Sequence, residues 1–228
     1  MENLKRVVVN FAKGGWYPKG QKRLVRSFLA AGYDGDFMLA GDESEIGCPR
    51  HKEVPYAFKA YMLKQAVEEG YEQIFWCDSA IVLVGHLSRL YEQLSSVGYI
   101  FAYGGWNNGQ WCSDAALVTL GITREEAFDT PHMMANMMGF DMRHRLCRTF
   151  LEKYYEKATD GVSFKGAWRN NNHEVSNDDR VLGHRHDQTA ASVIACQLGM
   201  TDWLTNWTEY NTLTTNPEIM FLTYPEHM

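Results

Sequence analysis

Asp78 stands directly after the apolar run Gln73-Ile74-Phe75-Trp76-Cys77, and Asp187 stands within His184-Arg185-His186-Asp187-Gln188-Thr189. A carboxylate at the tip of a buried strand borders the crevice in which open α/β sheets take their ligands, where it suits a ribose, a cation or a leaving group. A carboxylate flanked by histidines and an arginine at the head of a helix suits removal of a proton from an attacking hydroxyl. Each has a structural alternative. Asp78 also reads as a strand terminator or cap, and Asp187 before Gln188-Thr189-Ala190-Ala191 as a helix cap worth about 1 kcal/mol. Asn10 stands at the carboxyl end of the first apolar run and Asp42 just after the second, at comparable strand tips, and Asp114 and Asp141 are rival carboxylates. His184 and His186 offer to bind metal, orient Asp187 or contact phosphate, with a structural histidine as the alternative for each. Arg185 offers to pair with Asp187 or a phosphate.

The elements that must position these groups alternate between short apolar runs and amphipathic segments. Strands are expected at Arg6–Phe11, Asp36–Ala40 and Gln73–Cys77 and over 99–103, and helices over 21–31, 57–69, 87–94, 143–158 and 187–198. Gly70 supplies the usual glycine stop after the second of those helices. Strands alternating with helices imply an α/β fold, a Rossmann-like, mostly parallel central sheet flanked by helices. Residues 159–185 are polar and without period, which marks a lid, a binding loop or a disordered segment. The cluster Met133, Met134, Met137, Met138 reads as core filler.

Composition narrows the function. The chain has 228 residues, 45% hydrophobic and 22% charged, which fits a single domain over 1–228, with no internal repeat or linker. Lys and Arg number 22 against 28 Asp and Glu, a net charge of −6 that supplies no footprint for nucleic acid. No apolar run approaches the roughly 20 residues of a membrane helix, and the first ten residues carry no signal pattern. The cysteines, Cys48, Cys77, Cys112, Cys147 and Cys196, form no CxxC and read as free thiols. A soluble, cytoplasmic protein is expected. GxGxxG after the first strand, the Walker pattern, GxSxG and HExxH are all missing, which disfavours dehydrogenases and the commonest NTPases, α/β-hydrolases and zinc proteases.

Pro55-Tyr56-Ala57-Phe58-Lys59-Ala60, then Ile74-Phe75-Trp76-Cys77-Asp78-Ser79-Ala80, then His184-Arg185-His186-Asp187-Gln188-Thr189, in this order, resemble a nucleotide-sugar glycosyltransferase of the GT-A fold, with a chlorovirus-type glycosyltransferase domain as a closer relative. The resemblance runs over most of residues 6 to 200. It implies a nucleotide-sugar donor, a UDP-sugar in preference to a GDP-sugar, held by Asn10, Phe11, Ala12, Asp42, Lys59, Asp78 and Ser79, and a carbohydrate acceptor near Trp106 and His186. The family's DxD motif implies Mn²⁺ or Mg²⁺ at Asp78, yet the position of its second acid is Ala80, which puts metal dependence in question. Departure of the diphosphate must be met by positive charge, for which Lys59, Lys13 and Arg23 are the candidates. An inverting transfer of a hexose or deoxyhexose is expected, with Asp187 as base. Indoles beside amides in Gly104-Gly105-Trp106-Asn107-Asn108 suit a sugar's apolar face and hydroxyl rim. Two other readings stay open: a nucleotidyltransferase, for which Asn10-Phe11-Ala12-Lys13-Gly14-Gly15 only partly supplies the loop, and a non-catalytic carbohydrate-binding domain, which Ala80 motivates.

Overall fold

A computed structural model describes residues 4–210 and 218–223. The expected span 1–228 therefore includes residues 1–3, 211–217 and 224–228, which lie outside the described residues. In chain order the elements are β1 (Arg6–Phe11), α1 (Tyr17–Ala30), β2 (Asp36–Ala40), α2 (Ala57–Glu68), β3 (Gln73–Cys77), β4 (Ile81–Leu83), α3 (Leu87–Val97), β5 (Tyr99–Asn107), α4 (Asp114–Leu120), α5 (Arg124–Asp129), β6 (Pro131–Asp141), α6 (Arg145–Thr159), α7 (His186–Gln197), β7 (Thr208–Tyr210) and β8 (Phe221–Thr223).

The main sheet has the order β2-β1-β3-β6-β5. β1 pairs parallel with both β2 and β3, and β6 runs antiparallel to β3 and β5, so β6 alone is reversed. β4, β8 and β7 form a separate three-stranded sheet. The sheet is covered on both faces, which is why its central strands read as continuous apolar runs rather than alternating ones. Val7, Val9, Ile74 and Trp76 pack on one side with Leu63, Phe150 and Ile194 of α2, α6 and α7. Val8, Phe75 and Cys77 pack on the other with Leu24, Phe28 and Leu90 of α1 and α3.

The α/β architecture and the mostly parallel sheet are as expected. Several elements differ from the sequence expectation. Helix α1 starts at Tyr17 rather than near 21, with a proline in its first turn, where the ring's fixed φ favours the helix and the missing N–H costs nothing. Gly20 lets that turn approach the loop after β3, since a Cβ there would stand 2.4 Å from the Ser79 carbonyl oxygen. The methionine-rich segment is a strand, β6, and Met133, Met137 and Met138 are buried in it. Unbranched methionines carry little strand signal, so its place in the sheet was invisible while its core role was not. β5 runs on to Asn107 through two irregularities in its pairing with β6. Residues 160–185 hold one short 3₁₀ turn, Asn171–His173, and are pinned by side chains. Asn170 bonds the backbone of Val175, Ser176 and Val181, and His184 bridges Ser113 N and Ser163 O. Among the described residues no helix is long and apolar enough to cross a membrane.

Candidate active site

Three distant segments meet around one buried ammonium. Lys59, in the first turn of α2, places Nζ 3.3 Å from Asp78 Oδ1 at the tip of β3 and 3.0 Å from Asp187 Oδ2 in the first turn of α7. The same ammonium donates to the Ala135 carbonyl in β6 at 2.8 Å. The Lys59 and Asp187 side chains are each 3% exposed, whereas Asp78 keeps 34%. Burial alone would strip the proton from Lys59, and the two carboxylates reverse that, holding its pKa above the ordinary lysine value. Burial raises the pKa of Asp187 against the pull of Lys59. Burial, followed by the charges of Asp187 and Asp78, holds the Tyr154 phenol well above its ordinary value.

Asp78 opens into a cavity of about 500 Å³. Its walls are aromatic: Phe11 stacks on Phe58 with ring centroids 4.3 Å apart, Trp16 on Tyr17 at 4.8 Å, and His51 meets Tyr56 edge-on at 4.7 Å. Its polar edge is Lys13, Glu43, Asp78 and Ser79. Lys13 pairs with Asp42 at 2.6 Å and with Glu43.

The sequence-selected residues divide accordingly. Phe11, Asp78 and Ser79 line the cavity, and Lys59 sits beneath Asp78. Asn10 and Ala12 are buried and do not line it. Asn10 is a tether that donates to Cys77 O at 2.6 Å and accepts from Gln21 Nε2 and Ser79 Oγ, so it fixes the loop behind Asp78. Ala12 N donates to Ala40 O. Asp42 caps the 3₁₀ turn Glu43–Glu45 and reaches the cavity only through Lys13. Arg23 donates to the Ala80 carbonyl at 3.3 Å. The rival carboxylates are engaged in structure: Asp114 with Arg124 and Ser176, and Asp141 with Arg143 and Gln73. Trp16, Tyr17, Glu43, His51 and Tyr154 were not selected from the sequence. The signal available for the first two was an aromatic pair following Gly14-Gly15, both of which have positive φ.

The two histidines have different tasks. His184 accepts from Ser113 N–H through Nδ1, so Nε2 carries the proton that it donates to Ser163 O. Burial drops its pKa to about 3, and it is a neutral staple. His186 donates Nδ1–H to Phe164 O, which leaves Nε2 as an acceptor, and burial lowers its pKa to about 4. Its ring centroid lies 5.7 Å from that of Tyr56 and 5.7 Å from that of Trp168. Arg185, the preceding residue, lies over the rings of Trp168 and Trp111 at 3.9 and 4.1 Å, with Trp106 at 5.3 Å.

Mn²⁺ and Mg²⁺ prefer several oxygen ligands. Oδ1 of Asp78 already accepts from Trp76 Nε1 at 2.7 Å and faces Lys59, and Ala80 offers no side-chain ligand. No group of three His, Cys, Asp or Glu side chains among the described residues is placed to hold a metal. These residues do not form a site that retains either cation by itself.

No family model matches the sequence, and no curated protein matches it. The backbone does have counterparts. A crystal structure of a glycosyltransferase involved in the glycosylation of the major capsid of PBCV-1 superposes with a TM-score of 0.52 at 11% identity, over 96% of this chain and 92% of that one. The chain has a glycosyltransferase fold. The WbbM bifunctional glycosyltransferase, in its apo structure, superposes with a TM-score of 0.49 at 10% identity, over 92% of this chain and 40% of that one. In this glycosyltransferase fold the cavity lies beyond the carboxyl ends of β1 and β3, where a doubly covered sheet takes its ligand.

Proposed function

We propose that this protein is a glycosyltransferase that moves a hexose or deoxyhexose from a nucleotide-diphosphate sugar, UDP-linked by preference, to a carbohydrate hydroxyl. The observation that carries this reading is the Lys59 ammonium joining Asp78, at the floor of an aromatic-walled cavity, to Asp187 behind it. The base stacks against the aromatic walls near Phe11 and Tyr56, and the ribose and diphosphate lie along Ser79, Asp78 and Lys13. The acceptor enters from the side of Trp106 and His186, whose Nε2 accepts a hydrogen bond from a sugar hydroxyl.

The step is an inverting displacement. The acceptor oxygen forms a bond to the anomeric carbon as the bond to the diphosphate breaks, and its proton passes to Asp187. Two carboxylates crowded on one ammonium favour protonation of one of them, so the uptake leaves Lys59 paired with a single charged acid. Buried Cys77, Cys112 and Cys147 carry free thiols, which suits work in the reducing cytoplasm.

Incubation with a panel of UDP- and GDP-sugars tests the reading. Release of UDP or GDP, to water slowly and to saccharide acceptors faster, is the expected result. Release of pyrophosphate from a nucleoside triphosphate and a sugar phosphate would instead assign nucleotidyl transfer, and saccharide binding without turnover would assign a lectin-like domain.

A further inference from the structure

Resting on that reading, we propose that Trp168 and Trp106, braced by Arg185, bind a sugar of the acceptor one unit or more beyond the reacting hydroxyl, so that the true acceptor is an oligosaccharide. Trp168 and Trp106 are 41% and 43% exposed, and each lies over one guanidinium, which also lies 4.1 Å from the Trp111 ring. Indoles held this way lose little further freedom on binding a ligand, which is the condition under which stacking contributes affinity. A flat indole face suits the apolar C–H face of a pyranose.

The backbone under Trp168 is fixed as well. Asn170 N donates to Leu182 O at 2.8 Å and His184 N to Ala167 O at 3.0 Å. Gly183 permits that approach, because a Cβ on it would stand 2.0 Å from the Trp168 carbonyl oxygen.

Position gives the platform its role. Tyr56 lines the donor cavity, the His186 ring follows it, and Trp168 follows His186. The Tyr56 ring also lies 5.3 Å from Lys59 Nζ, which holds Asp187, the proposed base, at 3.0 Å. A sugar seated at Tyr56 with its hydroxyl turned toward Asp187 therefore has the His186 ring beside it, and the next sugar along the chain meets Trp168. The continuity with the cavity favours a saccharide over a protein partner for these exposed rings.

The test compares mono-, di- and trisaccharides of the gluco, manno, xylo and chito series as acceptors, together with titration of intrinsic tryptophan fluorescence by the same trisaccharides. The wild type is expected to prefer trisaccharide over monosaccharide by about tenfold in KM, the scale of one stacking contact. In Trp168→Ala that preference shrinks to about twofold, and the fluorescence response weakens in parallel. Trp168→Phe, which keeps an aromatic face, retains part of the preference and controls for folding. A wild type without length preference, a preference that survives Trp168→Ala, or trisaccharides that leave the fluorescence unchanged would each overturn the proposal. Donor hydrolysis to water, read as UDP release, reports on glycosyl transfer itself and is scored separately, so loss of the platform and loss of the enzymatic reading are distinct results.

Discussion

Tyr56 and His186 face each other with ring centroids 5.7 Å apart, and both hold left-handed backbones, with φ of 59° and 50°. Each stands at the N-terminal end of the helix that carries one member of the Lys59–Asp187 pair. Left-handed non-glycine residues cost of order 1–3 kcal/mol and persist where the surrounding structure imposes them, typically at functional sites. Here they bring two rings together at the starts of α2 and α7, and one of them, Tyr56, lines the cavity.

Tyr56→Gly is expected to relieve about 1–2 kcal/mol of backbone strain while removing a ring from the cavity wall. The two effects offset in stability but not in binding. Urea unfolding should shift by less than about 1 kcal/mol, and UDP affinity should fall about tenfold, the scale of one lost stacking contact. A loss of stability above about 3 kcal/mol would contradict the assignment of strain.

Asp187→Asn removes the proposed base without changing its shape. Turnover should drop about 10²- to 10⁴-fold, the usual contribution of a general base, while UDP affinity measured by calorimetry stays within about threefold. Turnover that stays within threefold of the parent sinks the assignment of the base.

Lys59→Met leaves two acids without their shared cation. Removing one partner of a buried pair costs about 3–5 kcal/mol, so chemical denaturation should register a loss of that size. The double variant Lys59→Met, Asp187→Leu should recover much of it, because the charge most deeply stranded is gone. If the double variant is no better than the single, the pair is not what makes Lys59 necessary.

Mn²⁺ titrated into the protein without nucleotide should show no saturable binding at sub-millimolar concentration, since one oxygen of Asp78 is already engaged by Trp76 and Lys59 and Glu43 is paired with Lys13. Electron paramagnetic resonance of free Mn²⁺ reads this directly. Tight binding of one equivalent would mean that the donor set has been misjudged.

Stability should fall on mild acidification. His184 and His186 have folded pKa values lowered to about 3 and about 4 by burial, below the ordinary 6.5. Their contribution is complete above pH 6.5 and is lost as pH falls toward those values, because the unfolded chain takes up protons that the folded rings refuse. The loss is roughly 1.4 kcal/mol per pH unit for each buried ring. Asp187 and Asp78, both raised by burial, act in the opposite sense as pH falls toward the ordinary carboxylate value. Urea unfolding at pH 7 and pH 5 should show the decline, with a shallower one in His184→Gln. A decline no steeper in the wild type than in His184→Gln would mean that the His184 ring is protonated in the folded state.

The sheet was legible where strands are buried on both faces, because Val7-Val8-Val9 and Ile74-Phe75-Trp76 have no choice but to read as continuous apolar runs. β6 was not, since Met133, Met137 and Met138 are apolar without being β-branched, and its reversed direction leaves no trace in composition. Asp78 and Asp187 were chosen for their positions after a strand and before a helix, and they meet on Lys59. The division of labour inside His184-Arg185-His186 was hidden, because it depends on which carbonyls lie opposite each ring nitrogen. Trp168 was hidden for a similar reason: its neighbours in space are residues from the far end of its own loop and the head of α7.

The order in which the ribosome delivers the chain gives the Lys59 cluster a further meaning. Lys59 and Asp78 emerge long before Asp187, so a nascent chain that collapses around β1, β2 and β3 has only one of the two acids that hold this cation in the finished protein. Docking of α7 supplies the second, so the charge balance around Lys59 is completed in the same event that brings the last third of the chain onto the sheet.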